Sequence, residues 1–240
     1  MNAKVMAMVA AALAAGMVFG QGKVTRARRA AAEDDEPVAT GKDAYVRIDQ
    51  FPKPGRQSTL SAPMVSGASI IGQCYTKPRK WIVLEAKYST LAKFQDQLTF
   101  TWHVLLDTKT ATEKDKEDKL PPYSYFTTTT TYYNVPKGSH AASVCLHPSY
   151  LERYGEPRAI GLVVANKNGE ILAGDCESDI KGIDTHPKDI QEAFWNKQDI
   201  MNATDKAGEP MIERRQGLVD RSKTIWAIVN PNDYETTTIQ

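Results

Sequence analysis

Apolar and polar positions alternate with a period of two along much of this chain, and that period predicts strands. The clearest stretch runs from Leu98 to Asp107, where Phe100, Trp102, Val104 and Leu106 alternate with Thr99, Thr101 and His103. β-Branched and aromatic residues at this period mark a half-buried strand, because a helix would put Phe100 and Trp102 on opposite sides. Trp102 is then a core residue and His103 a surface one. In the block from Trp81 to Tyr88, the side chains of Ile82, Leu84, Ala86 and Tyr88 share one face, with Glu85 and Lys87 on the other.

Shorter strands are predicted from Tyr45 to Asp49, Ser69 to Tyr75, Ser143 to Leu146 and Thr224 to Val229. The first is broken by Phe51-Pro52-Lys53-Pro54-Gly55, since proline removes a ladder donor. Tyr123 to Tyr133, with five threonines at 127–131, reads as a long strand at an edge or half buried. Ala159 to Ala165 and Glu170 to Ala173 form a hairpin whose Asn168-Gly169 supplies positive-φ positions. One helix is predicted over Pro187–Met201, capped by His186 or Thr185, with Ile190, Ala193, Phe194 and Met201 as its apolar stripe. A helical turn over Pro148–Tyr154 stops at Gly155.

Strands that follow one another without intervening helices predict a mainly β domain over 43–230. The architecture that fits is an Ig-like two-sheet antiparallel β-sandwich with one or two short helices.

The ends add a compartment. Lys4, an apolar run of about 15 residues and small residues up to Gly20 read as a cleavable export signal over 1–20, shorter than the about 20 residues a membrane span needs. Residues 21–42 set Lys23, Arg26, Arg28 and Arg29 against Glu33, Asp34, Asp35 and Glu36, a flexible charged arm. Residues 231–240 read as a tail. The formal charge of +1 falls to zero once Lys4 leaves, so electrostatics give no case for nucleic acid. No second long apolar stretch follows, which predicts no transmembrane span after cleavage.

The export signal, the charged arm, Trp81-Ile82-Val83-Leu84-Glu85-Ala86, the Thr99-to-Leu106 strand and the hairpin between Gly161 and Gly174 carry a resemblance. The chain resembles the small secreted Ig-like proteins encoded beside type IV pilus-like machinery in Akkermansia-type bacteria. The resemblance implies a periplasmic, outer-membrane or cell-surface location, an adhesion or structural role, and pilus or secretin components as protein partners. It assigns no site residue.

Catalytic chemistry is sparse. The chain has no HExxH, GxSxG, Walker or GxGxxG motif, so no enzyme activity and no cofactor are predicted. Cys145 and His147 fall on one strand face and are the weak metal candidates, against a plain reading as strand and loop residues. Asp175, Glu177 and Asp179 alternate as calcium ligands do, but with Lys181 beside them they read as a solvated loop. Among Cys74, Cys145 and Cys176, the bridge Cys145–Cys176 is the first choice in an oxidising compartment, with three buried thiols as its rival. The leading function is a binding or structural module, with the 111–119 loop and Tyr123, Tyr125, Tyr132 and Tyr133 as its contact surface. The same tyrosines would serve the alternative, a carbohydrate-binding module.

Overall fold

Two long strands organise the fold: β3 (Lys80–Asp107) and β4 (Tyr123–Leu146). They pair antiparallel from Ile82↔Leu146 to Asp107↔Tyr123 as one hairpin. A straight β3 of 28 residues would extend about 90 Å. Instead the ladder slips between Thr90 and Phe94, opposite Gly138 and Pro136, and the hairpin folds over there. Pro136 removes a ladder donor at this fold, Gly138 has φ 142° and Asn134 φ 53°.

The computed structural model describes residues 46–61, 79–111, 120–224 and 226, within a compact unit spanning 39–240. The predicted signal, charged arm and tail, the 69–75 strand and Cys74 lie outside the described residues. So do the 111–119 loop beyond Ala111 and the 224–229 strand apart from Thr224 and Trp226.

One half of β3 carries β1 (Val46–Gln50) and β2 (Ser58–Ser61) on its outer edge. The other half pairs with β5 (Glu156–Asn166), and β5 with β6 (Ile171–Ser178). On β4, β7 (Ile212–Arg215) pairs parallel at one end and β8 (Leu218–Asp220) antiparallel at the other. The fold is mainly β and sandwich-like, as expected. Its two layers are the folded halves of one sheet with eight described strands, and β7 is a parallel exception to the antiparallel rule.

Leu84, Ala86 and Tyr88 from one half of β3 meet Phe100, Trp102, Val104 and Leu106 from the other in a single core, all fully buried. Ala142, Val144, Phe126, Ile160 and Leu162 complete it. The alternation read in the sequence is thus the core face of both layers, with Trp102 at its centre.

The expected helix over 187–201 does not form. The segment makes short 3₁₀ turns at Ile190–Glu192 and Phe194–Asn196 and one helical turn, α2 (Gln198–Met201), which follows α1 (Pro148–Tyr154) in the chain. Its apolar residues fill slots in the outer face of the sheet instead of one helical stripe. A Cβ on Gly161 would come within 2.0 Å of the Trp195 ring, and one on Gly174 within 2.6 Å of Ile190. Phe194 and Met201 join Leu105, Tyr125, Ala159 and Cys176 in a second core on this face. The 166–169 hairpin turn is present, but only Gly169 has positive φ (82°). Asn166 Oδ1 accepts from the N–H groups of Asn168 and Glu170 and holds the turn without a second left-handed residue.

Candidate functional site

A polar concavity lies where the two layers open, between the β1–β2 edge of one and β6 of the other. It is a cleft of about 490 Å³. Its origin is the proline-broken segment anticipated in the sequence. β1 pairs with β3 at residues 87–90 and β2 at residues 80–83. Between them, residues 51–57 loop away from Leu84, Glu85 and Ala86. Those three residues pair with β4 on their inner side, at Val144, Ser143 and Ala142. No described strand pairs with them on the outer side. The loop closes on itself, the Arg56 N–H donating to Lys53 O at 3.1 Å. Phe51 turns inward and stacks on Trp102, with centroids 6.4 Å apart.

The opposite wall is ionic. His186 bridges two carboxylates, Nδ1 to Asp175 Oδ1 at 2.8 Å and Nε2 to Glu177 Oε1 at 2.9 Å. Lys53 Nζ reaches the same Glu177 oxygen at 2.9 Å, tying the β1–β2 loop to β6. The Asp175 hydrogen bond, with the charges of Asp175 and Glu177, raises the His186 pKa against a smaller desolvation effect. His186 holds φ 48°, a strained setting for a non-glycine residue. It is neither the helix cap expected of it nor beside a solvated loop: Asp175 and Glu177 form the ordered wall of the cleft, and Asp179 pairs instead with Arg158 at 3.1 Å. Three lining groups have no protein partner among the described residues. Arg56 and Glu85 stand in no ion pair among the described residues, and Gln57 Nε2 is buried without a hydrogen-bond partner.

His103 is not at the surface. Trp195 lies flat on it, rings 4.3 Å apart and 2° from parallel, and its Nδ1 meets Tyr125 OH at 2.5 Å. Desolvation lowers its pKa to about 4, so the ring is neutral near pH 7.

The other candidates separate. Tyr132 and Tyr125 are buried in the two cores, at 1% and 6% exposure. Tyr123 is half-buried and lines an apolar cavity of about 280 Å³ with Leu105, Ile183 and Ile200. Tyr133 alone of the four is exposed, so no shared tyrosine platform exists for a partner or a sugar. Period two fails there because both faces of this half-sheet are covered.

His147 caps α1, its Nδ1 accepting from the Ser149 N–H at 3.1 Å, and its ring packs edge-on to Trp81 at 4.6 Å. Desolvation lowers its pKa, helped by the Arg79 charge. Cys145 is buried on β4 between Val83 and Val219. Among the described residues no group of three or more His, Cys, Asp or Glu is placed to hold a metal ion. Cys145 and Cys176 are not bridged to each other in the structure. Burial, with Asp175 and Glu177 alongside, pushes the Cys176 thiol up to about 12. The cleft residues Arg56, Gln57 and Glu85 were missed by sequence reading. The one available signal was the Pro-Lys-Pro-Gly break in an otherwise alternating edge.

Among known proteins, a family model matches residues 54–234, about three quarters of the chain. No curated protein matches. A crystal structure of a protein from Akkermansia muciniphila has the same fold, with a TM-score of 0.54 at 20% identity, covering 79% of this chain and 92% of that one. A Bifidobacterium adolescentis GH3 β-glucosidase aligns with a TM-score of only 0.25 at 12% identity, over 70% of this chain and 20% of the enzyme. Among the described residues, no helix is long and apolar enough to cross a membrane.

Proposed function

The chain belongs to the family whose model matches residues 54–234, in keeping with its resemblance to the pilus-associated proteins of Akkermansia-type bacteria, and on that premise we propose that it is an exported, non-catalytic envelope protein that works by binding a protein partner. The observation that carries the reading is the cleft. It is a formed polar concavity whose charged wall is already neutralised, leaving Arg56, Gln57 and Glu85 to meet something else. Chemistry is poorly served by the same inventory. The His103 ring is stacked and neutral, His147 is a cap, and His186 is held between two carboxylates. A thiol whose pKa lies near 12 is a poor nucleophile at neutral pH.

The test is fractionation of the source bacterium followed by isolation of its pilus-like assemblies. The reading expects the chain in the envelope fraction, shortened at its N-terminus by removal of residues 1–20, and enriched with the assemblies. A full-length chain in the cytoplasmic fraction contradicts it.

A further inference from the structure

We infer that the cleft between β1, β2 and β6 receives an extended peptide segment of the partner, one that presents a single carboxylate to Arg56 and Gln57. The inference rests on the binding reading above and adds the chemistry of what is bound. Two independent observations carry it.

The first is the interrupted ladder. On the outer edge of β3, the pairing with β2 ends at Val83 and the pairing with β1 begins at Lys87. Across Leu84, Glu85 and Ala86 that edge offers backbone groups to which no described strand is joined. A strand edge recognises extended backbone, by adding main-chain hydrogen bonds to a sheet. The 51–57 loop does not supply them. Pro52 and Pro54 lack N–H groups, and the Arg56 N–H is already donated to Lys53 O.

The second is the donor set at the mouth of that gap. Gln57 Nε2 is buried with no hydrogen-bond partner among the described residues, and a buried amide left so is costly unless a ligand or water accepts from it. Beside it in sequence, Arg56 carries a guanidinium in no ion pair among the described residues. An amide N–H beside a guanidinium suits a carboxylate, which can accept from both. The remaining cations do not compete, because Lys53 and His186 are matched by Glu177 and Asp175. Glu85, also in no ion pair among the described residues, lines the same cleft. It repels a second acid and accepts a backbone N–H or hydroxyl, so the segment carries one carboxylate and not an acidic run.

The experiment uses the purified full chain, immobilised, and two pools of acetylated, amidated heptapeptides with mixed flanks. One pool has Glu fixed at the centre and the other Lys. We expect the Glu pool to be retained at least ten-fold over the Lys pool, and R56A and Q57A each to cut retention at least five-fold. Retained peptides titrated into ¹⁵N-labelled chain should shift the Leu84, Glu85 and Ala86 amides and the Gln57 side-chain amide. Equal retention of both pools, or retention unchanged in both variants, overturns the inference. So does a saturable shift of the same amides by cellobiose with none by the peptides, which would make the cleft a saccharide site. Both substituted residues lie on a loop outside the cores, and a retained dispersed spectrum confirms that each variant is folded. If the Glu pool binds as expected while the chain fractionates with the cytoplasm, the cleft chemistry stands and the envelope reading falls.

Discussion

The rings of Tyr88 and Phe100, twelve residues apart on the same strand, lie 4.8 Å from each other. In a straight strand they would be about 40 Å apart. Their contact is therefore a direct record that β3 folds back on itself and that its two halves face each other across one core. Tyr132 from β4 extends the contact, 5.0 Å from Phe100.

Truncating Phe100 should loosen both layers at once. F100A is expected to cost about 3–5 kcal/mol in urea unfolding, as for large aromatic truncations in well-packed cores. A loss below about 1 kcal/mol would mean that the two halves do not pack through this ring.

The slot at Gly161 makes a second prediction. G161A places a methyl where the Trp195 ring lies, and should cost about 1–3 kcal/mol by overpacking. In a W195A background the same change should cost almost nothing. Equal costs in both backgrounds would show that Trp195 does not occupy the slot.

His103 should make the protein acid-sensitive. Its folded pKa, lowered to about 4, lies below the unfolded value near 6.5, so the unfolded chain binds more protons between the two. This stability is whole above about pH 6.5 and declines as pH falls toward 4, by up to about 3 kcal/mol. H103F, which keeps a ring under Trp195, should flatten that slope in pH-dependent urea unfolding. An unchanged slope would assign the acid sensitivity to other groups.

His186 should act in the opposite direction. Its raised pKa means that the bridge to Asp175 and Glu177 is complete below the ordinary histidine value and is lost as pH rises through the folded one. Protection factors at residues 179–186, which divide out the base-catalysed intrinsic rate, should therefore fall on mild alkalinisation, and in H186Q they should be low at every pH. High protection at every pH in H186Q would show that the latch holds without the imidazolium.

Much of this fold was legible because burial on one face writes itself as alternation. Phe100, Trp102, Val104 and Leu106 could be assigned inward from the pattern alone. Period two is silent about bending, so nothing in residues 88–100 announced that one strand serves both layers. It also misleads when both faces are buried. Tyr125 and His103 looked solvent-facing because they alternate with core residues, yet Phe194 and Trp195 cover them. The 187–201 segment carries helical spacing, but slots at Gly161 and Gly174 fix Trp195 and Ile190 individually and favour tight turns over a continuous helix. The cleft was the least legible part. It joins Lys53, Glu85, Glu177 and His186 from four separate segments, and long-range pairing of this kind leaves no local period to read.

The central claim, an envelope protein that meets its partner through the cleft, is tested most directly by site-specific photo-crosslinking in the living source bacterium. Benzoylphenylalanine replaces Ser58, exposed in the cleft lining, in one strain and Lys206, exposed and outside the cleft lining, in another. The account predicts an adduct between the position-58 chain and a component of the pilus-like machinery, recovered from the envelope and missing from the position-206 strain. The same adduct from both positions, or a position-58 chain that stays uncrosslinked in the envelope, would contradict it.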